Sequence, residues 1–343
     1  MNTFYKEIAG WKGFFAILIA LFHYEATRLG HHKYFGTDWL GVEAFFIFSG
    51  FLLAAGLQKT TPEQINIPAT IFRKMVKIAP IYLLSLALVV LCQLKQNDWN
   101  FNRTIPDFSA LLVEASMLQM TGFFKSTFLN YAAWFVSSLL IGTTIILCFY
   151  KYIPTLITPL GVILVLFIYG YFYESPTLNS FKKKSPFFIL DGNLRAIAGM
   201  FLGIFIFNIL PQIANSIKGY KFIIIELILI IALTFLLFRR EQDSPVTYYF
   251  LIIFPSLFLI TLTQHSILAR LLKSKVMTWL GGLSMYLYMT HVASIYFFKK
   301  VIRLPSDTNF LLECLVFIIF AMLVAIISKI IINCFVKTLI KPD

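Results

Sequence analysis

Lys12 and His23 sit inside the apolar stretch GWKGFFAILIALFHYEATRL, residues 10–29, and are eleven residues apart. On a helix that separation is a rotation of about 1100°, about 20° past three full turns, with an axial rise of about 16 Å. A cation near one membrane surface and an imidazole roughly half a bilayer deeper therefore share one face. Imidazole is the usual general base near neutral pH. A long, thin molecule with a phosphate head and a reactive tail matches that spacing, and coenzyme A has this shape. A plainer arrangement also fits: His23 hydrogen-bonds a neighbouring helix while Lys12 snorkels to the surface. Geometry alone leaves both open.

Other ionisable residues fall in apolar surroundings, where a charge at a helix centre costs roughly 2.5–3.5 kcal/mol on insertion scales and so favours the bundle interior. In DWLGVEAFFIFSGFLLAAG, residues 38–56, Glu43 and Gly50 are seven apart and nearly eclipse, with Ile47 and Ala54 on the same stripe. A carboxylate above small residues suits close helix packing or a narrow channel. Glu43 then orients a histidine, binds an acceptor hydroxyl, or pairs with a buried base. In FRKMVKIAPIY, residues 72–82, Arg73, Lys74 and Lys77 cluster where a span begins, and Pro80 suits the first turn of its helix. Such a cluster clamps phosphates and equally suits lipid headgroups. NLRAIAGMFLGIF places Arg195 at the start of a span, with Gly199 and Gly203 at the small-xxx-small spacing of close helix contacts. WLGGLSMYLYMTHVAS holds Ser284, Tyr286, Tyr288 and His291, the last two three apart and adjacent on a helix. His31, His32 and His265 fall at expected span edges and read as interfacial. Glu226, Glu313 and Lys329 lie in spans without an interpretable motif.

The elements that must position these residues follow from composition. The chain has 343 residues, 59% hydrophobic and 13% charged, with mean hydropathy +0.81, against about 25% charged residues in a soluble chain. It reads as an all-α integral membrane protein, whose polar groups must be explained against lipid. Runs long enough to span number about ten: approximately 12–30, 38–57, 77–94, 131–150, 154–173, 193–211, 221–239, 247–265, 277–299 and 309–336. The first leads straight into the second without a small-residue cleavage site, so it is no cleavable signal peptide. No loop is long enough for a separate soluble domain, and residues 1–343 read as one bundle. Within the longest break, 95–130, residues 108–120 suit a helix lying along the interface. The net charge of +13 does not indicate nucleic acid, because the basic residues are spread over nearly every loop, where they serve anchoring and topology. Lys and Arg divide evenly between the two sides, so the positive-inside rule does not orient the chain. Cys92, Cys148, Cys314 and Cys334 form no CxxC pair and read as buried small hydrophobes, with neither a disulfide framework nor a metal site.

Taken together, these stretches resemble the acyltransferase 3 family of membrane acyltransferases. A basic residue, ten residues and a histidine open the family pattern, matched by Lys12 and His23, with lysine where arginine is common. GVEAFFIFSGF, with Glu43 and Ser49, resembles the family's GV-acid-xFFxxSGF stretch. Arg73, Lys77, Pro80 and Tyr82 match an RxxxRxxPxY-like stretch, again with a lysine replacing an arginine. LRAIAGMFLG and LSMYLYMTH, carrying Arg195, Tyr288 and His291, resemble later blocks. One departure stands in WFVSSLLIG: Trp134 is present, but Leu139 occupies the place of an acid found in many members.

The resemblance implies about ten spans with cytoplasmic termini in the cell membrane, and an acyl group, usually acetyl, taken from cytoplasmic acyl-CoA. The acceptor it implies is a hydroxyl of a surface or exported polysaccharide or its lipid-linked precursor. His23 is then the base or acyl relay, and Glu43 orients His23 or the acceptor. Lys12, Arg73 and Lys77 hold the CoA phosphates, with Ser49, Tyr82, Trp134, Arg195, Tyr288 and His291 supporting substrate or structure. No metal is called for. A transporter, or a family enzyme acting on a small lipid or metabolite, is the alternative. The oligomeric state stays open.

Overall fold

Helix α1, Lys6–Leu29, starts ahead of the apolar run and closes at Gly30, whose φ of 75° gives the left-handed turn that ends many helices. A computed structural model describes residues 5–339, apart from 106, 125–127, 175–177, 186–188, 217–219, 242–243, 264–265 and 303–307. His265 lies outside the described residues. Helices α2 (Gly41–Leu57), α3 (Ile67–Gln96), α4 (Phe101–Thr104) and α5 (Phe108–Ala115) follow. Next come α6 (Trp134–Tyr152), α7 (Ile157–Tyr173), α8 (Asp191–Ser216) and α9 (Tyr220–Leu237). The chain then runs through α10 (Phe250–Thr261), α11 (Leu268–Leu272), α12 (Lys275–Val301) and α13 (Phe310–Leu339). No strand occurs among the described residues; one isolated bridge joins Lys184 and Leu190.

The all-helical membrane reading holds, while the number of spans is smaller by a strict measure. Among the described residues, six helices are long and apolar enough to cross a membrane: Asp38–Leu57, Ile67–Gln96, Tyr131–Tyr152, Pro154–Tyr173, Asp191–Ala214 and Phe310–Phe335. The apolar helices Phe222–Leu237 and Pro245–Thr261 are shorter. Helices α1 and α12 are long, but they carry Lys12, His23 and Glu25 on one and His291 with flanking lysines on the other. Their polarity has a structural reason, because these two helices pack against each other inside the bundle.

Local chemistry moves one boundary. Pro80 was expected in a first turn, yet α3 begins at Ile67, where the Asn66 side chain accepts from the Ala69 N–H at 3.0 Å and Pro68 occupies the first turn. Pro80 therefore lies inside α3, removing one backbone donor, which membrane helices tolerate where neighbours satisfy the freed carbonyl. The expected interfacial helix shortens to α5, capped by Asp107, with Phe108 and Leu112 exposed.

Two helix pairs build the frame, each closed by glycine. Helices α1 and α12 run side by side in parallel, Gly13 against Leu280 and Gly281 and His23 against His291. A Cβ on Gly281 would lie 2.1 Å from the Ala9 carbonyl oxygen. Helices α2 and α8 pair in the same way: a Cβ on Gly50 would lie 1.9 Å from the Met200 carbonyl oxygen, and one on Gly203 2.0 Å from that of Ile47. Helices α6 and α7 pack on α8, and α3 and α13 on α12, around one continuous apolar core.

Most buried acids are explained as staples. Glu25 accepts from the backbone N–H groups of Tyr34 and Phe35, pinning the loop after α1. Glu114 accepts from those of Leu129 and Asn130, pinning the approach to α6. Glu226 accepts from Ser266, Ile267 and Leu268 and so caps α11. Glu313 ties Tyr24 and Arg28 of α1 to α13. Lys329 donates to the Gly282 carbonyl. These bonds satisfy groups that would each be costly to bury alone. Cys92 and Cys314 are buried as expected, whereas Cys148 is half-buried and Cys334 exposed.

Candidate active site

The α1–α12 pairing brings His23 and His291 together. Their rings stack at 5.1 Å between centroids, 19° apart in plane. His291 is fully buried; its Nδ1 lies 2.6 Å from the Tyr288 carbonyl oxygen, and its Nε2 has no hydrogen-bond partner. The Tyr131 ring packs 4.9 Å from His23. Tyr131 is held there by the Glu114 staple and by Asn130, whose side-chain amide donates to Ser85 and to the Met289 carbonyl. Tyr82 belongs to the same brace: its hydroxyl donates to the Glu114 carbonyl and accepts from Gln119, which also donates to the Ala133 carbonyl.

Above this pair opens a cavity of about 720 Å³, lined by His23, His32, Trp39, Trp134, Arg195 and Tyr288 among others. His31 and His32, expected at the interface, line it as well. The His32 ring stacks on Phe22 at 4.4 Å, with Nδ1 3.4 Å from Glu25 Oε2. Glu43 does not reach His23. Its Oε1 lies 2.5 Å from Arg195 Nε, and its Oε2 accepts from the Tyr169 hydroxyl at 3.2 Å. The Arg195 guanidinium lies between the Trp39 and Trp134 rings, 5.3 and 5.1 Å from their centres. Of the alternatives for Glu43, the structure contains the pairing with a buried base.

On the other side, Lys12 lines a separate cavity of about 140 Å³ with Ser49, Leu139, Ser284 and Tyr288. Lys12 is within electrostatic reach of Lys77 and of Lys74. Lys74 extends inward to donate to Thr143 of α6 at 2.8 Å. Arg73 is exposed, its side chain bonding Thr70 one turn back at 3.4 Å. The rotation of about 100° between adjacent helix positions separates the two. Lys74 was visible in the basic cluster, but only the position of α6 reveals which member turns inward.

Two polar groups went unnoticed in the sequence. Both carboxyl oxygens of Asp38 are buried without a partner, as is Nε1 of Trp39 beside the large cavity. The only hint was an acid placed immediately before an apolar helix.

The sequence model of the acyltransferase 3 family, described as an acyltransferase domain, matches residues 5–330. The chain belongs to this family. The match covers the whole bundle from α1 into α13, including every residue of both cavities. This acyltransferase has no match among the curated proteins or the solved structures. With its long apolar helices, family membership makes it a multi-pass membrane acyltransferase.

Proposed function

We propose that this acyltransferase moves an acetyl group from cytoplasmic acyl-CoA to a hydroxyl of a surface or exported polysaccharide, or of its lipid-linked precursor. One observation carries the reading: the basic cluster and the histidine pair sit at opposite ends of one α1–α12 column, each with its own cavity. Lys12, Lys74 and Lys77 suit the phosphates of CoA, with Arg73 at the outer edge. The pantetheine arm then lies in the small cavity beside Ser49 and Ser284, and the acceptor enters the large one.

In the reaction His23 takes the proton of the acceptor hydroxyl. The hydroxyl oxygen bonds to the acyl carbonyl carbon, the carbon–sulfur bond breaks, and the proton passes to the leaving CoA sulfur. His291, stacked on His23, fixes the ring's position. Glu43 acts at one remove, holding Arg195 against the wall of the acceptor cavity between two tryptophans, a surface suited to sugar hydroxyls. In this reading the protein lies in the cell membrane with cytoplasmic termini and ten spans, α1, α9, α10 and α12 joining the six long apolar helices.

The test uses membranes and radiolabelled acetyl-CoA. Label is expected in a glycan with the wild type, and His23→Ala at equal expression should lose about 100-fold or more, the scale of a general base. Lys74→Ala should raise the KM for acetyl-CoA about tenfold with a smaller change in kcat. Full transfer by His23→Ala would overturn the assignment.

A further inference from the structure

Among the described residues, Tyr288 alone lines both cavities. It sits on α12 one turn before His291 and is 3% exposed. Its ring is wedged between Phe45 of α2 and Phe135 of α6, with centroids 5.6 and 5.4 Å away, both at steep angles. Its hydroxyl donates to the Ala132 carbonyl at 3.0 Å, on the wall of the large cavity. Three helices thus close the column with aromatic rings between Lys12 and the histidine pair, nearer the latter.

We propose that Tyr288 is the partition between the donor and acceptor cavities. Its closed ring keeps acceptor-side water from the thioester, and release of the Ala132 latch admits the acyl group to His23. The chemistry rests on the acyl-transfer reading above; the partition does not. A thioester exposed to water hydrolyses: the water oxygen bonds to the carbonyl carbon, the carbon–sulfur bond breaks, and the thiol leaves with a water proton. The products are a carboxylic acid and free CoA, without acceptor. A removable partition suppresses this loss while still allowing transfer. Tyr288 is a positioning residue in this scheme; Phe45 and Phe135 set where its ring rests.

Side-specific thiol labelling tests the partition without acyl-CoA. In a background with Cys92, Cys148, Cys314 and Cys334 replaced by Ala, Ser49→Cys reports on the small cavity and Ala26→Cys on the large one. A membrane-impermeant methanethiosulfonate reagent is added to either side of sealed vesicles. With Tyr288 present, Ser49→Cys should react from the Lys12 side only and Ala26→Cys from the opposite side only. Tyr288→Ala should make Ser49→Cys react from the far side at least tenfold faster. Tyr288→Leu carries the same test where the Ala variant does not fold, and labelling of Ser49→Cys from its own side reports folding. Wild-type far-side rates in a folded variant overturn the partition. In a second assay, without acceptor, the Leu variant should release CoA from acetyl-CoA at least fivefold faster than the wild type; an unchanged rate overturns the water-exclusion role even where labelling moves.

Discussion

Glu43 and Arg195 are at most 1% exposed and bond at 2.5 Å, so neither charge has solvent to fall back on. Removing one partner of such a pair typically costs about 3–5 kcal/mol, because the other charge is left buried and alone, whereas replacing both with apolar residues is often neutral. Glu43→Leu should therefore unfold in detergent at a clearly lower temperature than the wild type. Glu43→Leu with Arg195→Met should recover most of that loss, and on the proposed function transfer should stay low in both, since Arg195 loses its anchor in the first and is absent from the second. A double variant no more stable than Glu43→Leu would remove the pairing as the reason for burial. The sequence showed an acid above small residues and admitted a buried base as its partner. It could not name Arg195, because the partner lies 152 residues away on a helix whose register against α2 is set by packing. Lys12 and His23 were more legible: one helix and a fixed rise place both on one face, and the structure puts each against Tyr288's column.

At the scale of elements, the small-residue patterns translate directly into helix pairs. Gly199 and Gly203 were read as a close-contact face, and both meet α2, at Phe46 Cβ and the Ile47 carbonyl. Membrane helices gain little from hydrophobic association and rely on such close approach. A methyl group at Gly50 or Gly203 would press within 2.0 Å of opposing backbone oxygen, where no side-chain rotation relieves it. Gly50→Ala and Gly203→Ala should each lower the yield of folded protein severalfold on size exclusion in detergent. Gly56→Ala and Gly170→Ala should leave it unchanged, because nothing lies within 4 Å of a Cβ at either. Equal behaviour of the two sets would mean that α2 and α8 are held by something other than this contact. Less legible was the start of α3: the apolar run begins near 77, but the Asn66 cap and Pro68 begin the helix ten residues earlier. The basic cluster therefore lies inside the helix, where the rotation between adjacent positions turns Lys74 rather than Arg73 toward α6.

For the whole molecule, composition announced a membrane bundle and fell silent on direction, since basic residues are balanced across its faces. Both helices that matter most were among the ten runs read from the sequence, yet α1 and α12 fall outside the six that are long and apolar enough to cross a membrane among the described residues, because the column's polar residues lie on them. Direction must instead be read from the two mouths. The Lys12 mouth has lysines and a narrow cavity of about 140 Å³; the opposite mouth has aromatic and histidine walls, with Arg195 and Arg240, around about 720 Å³. On the proposed function, a phosphate-bearing donor enters at the first and a bulky polar acceptor at the larger second. The protein reconstituted in liposomes of one orientation should therefore release CoA when acetyl-CoA is supplied on the Lys12 side with acceptor opposite, and at least tenfold less with the two exchanged. That preference should weaken in high salt, because the donor mouth works by charge attraction that ions screen within about 10 Å at 0.1 M. Equal rates from both sides would mean that the donor does not enter at the Lys12 cluster, and the assignment of the two mouths would have to be reversed or abandoned.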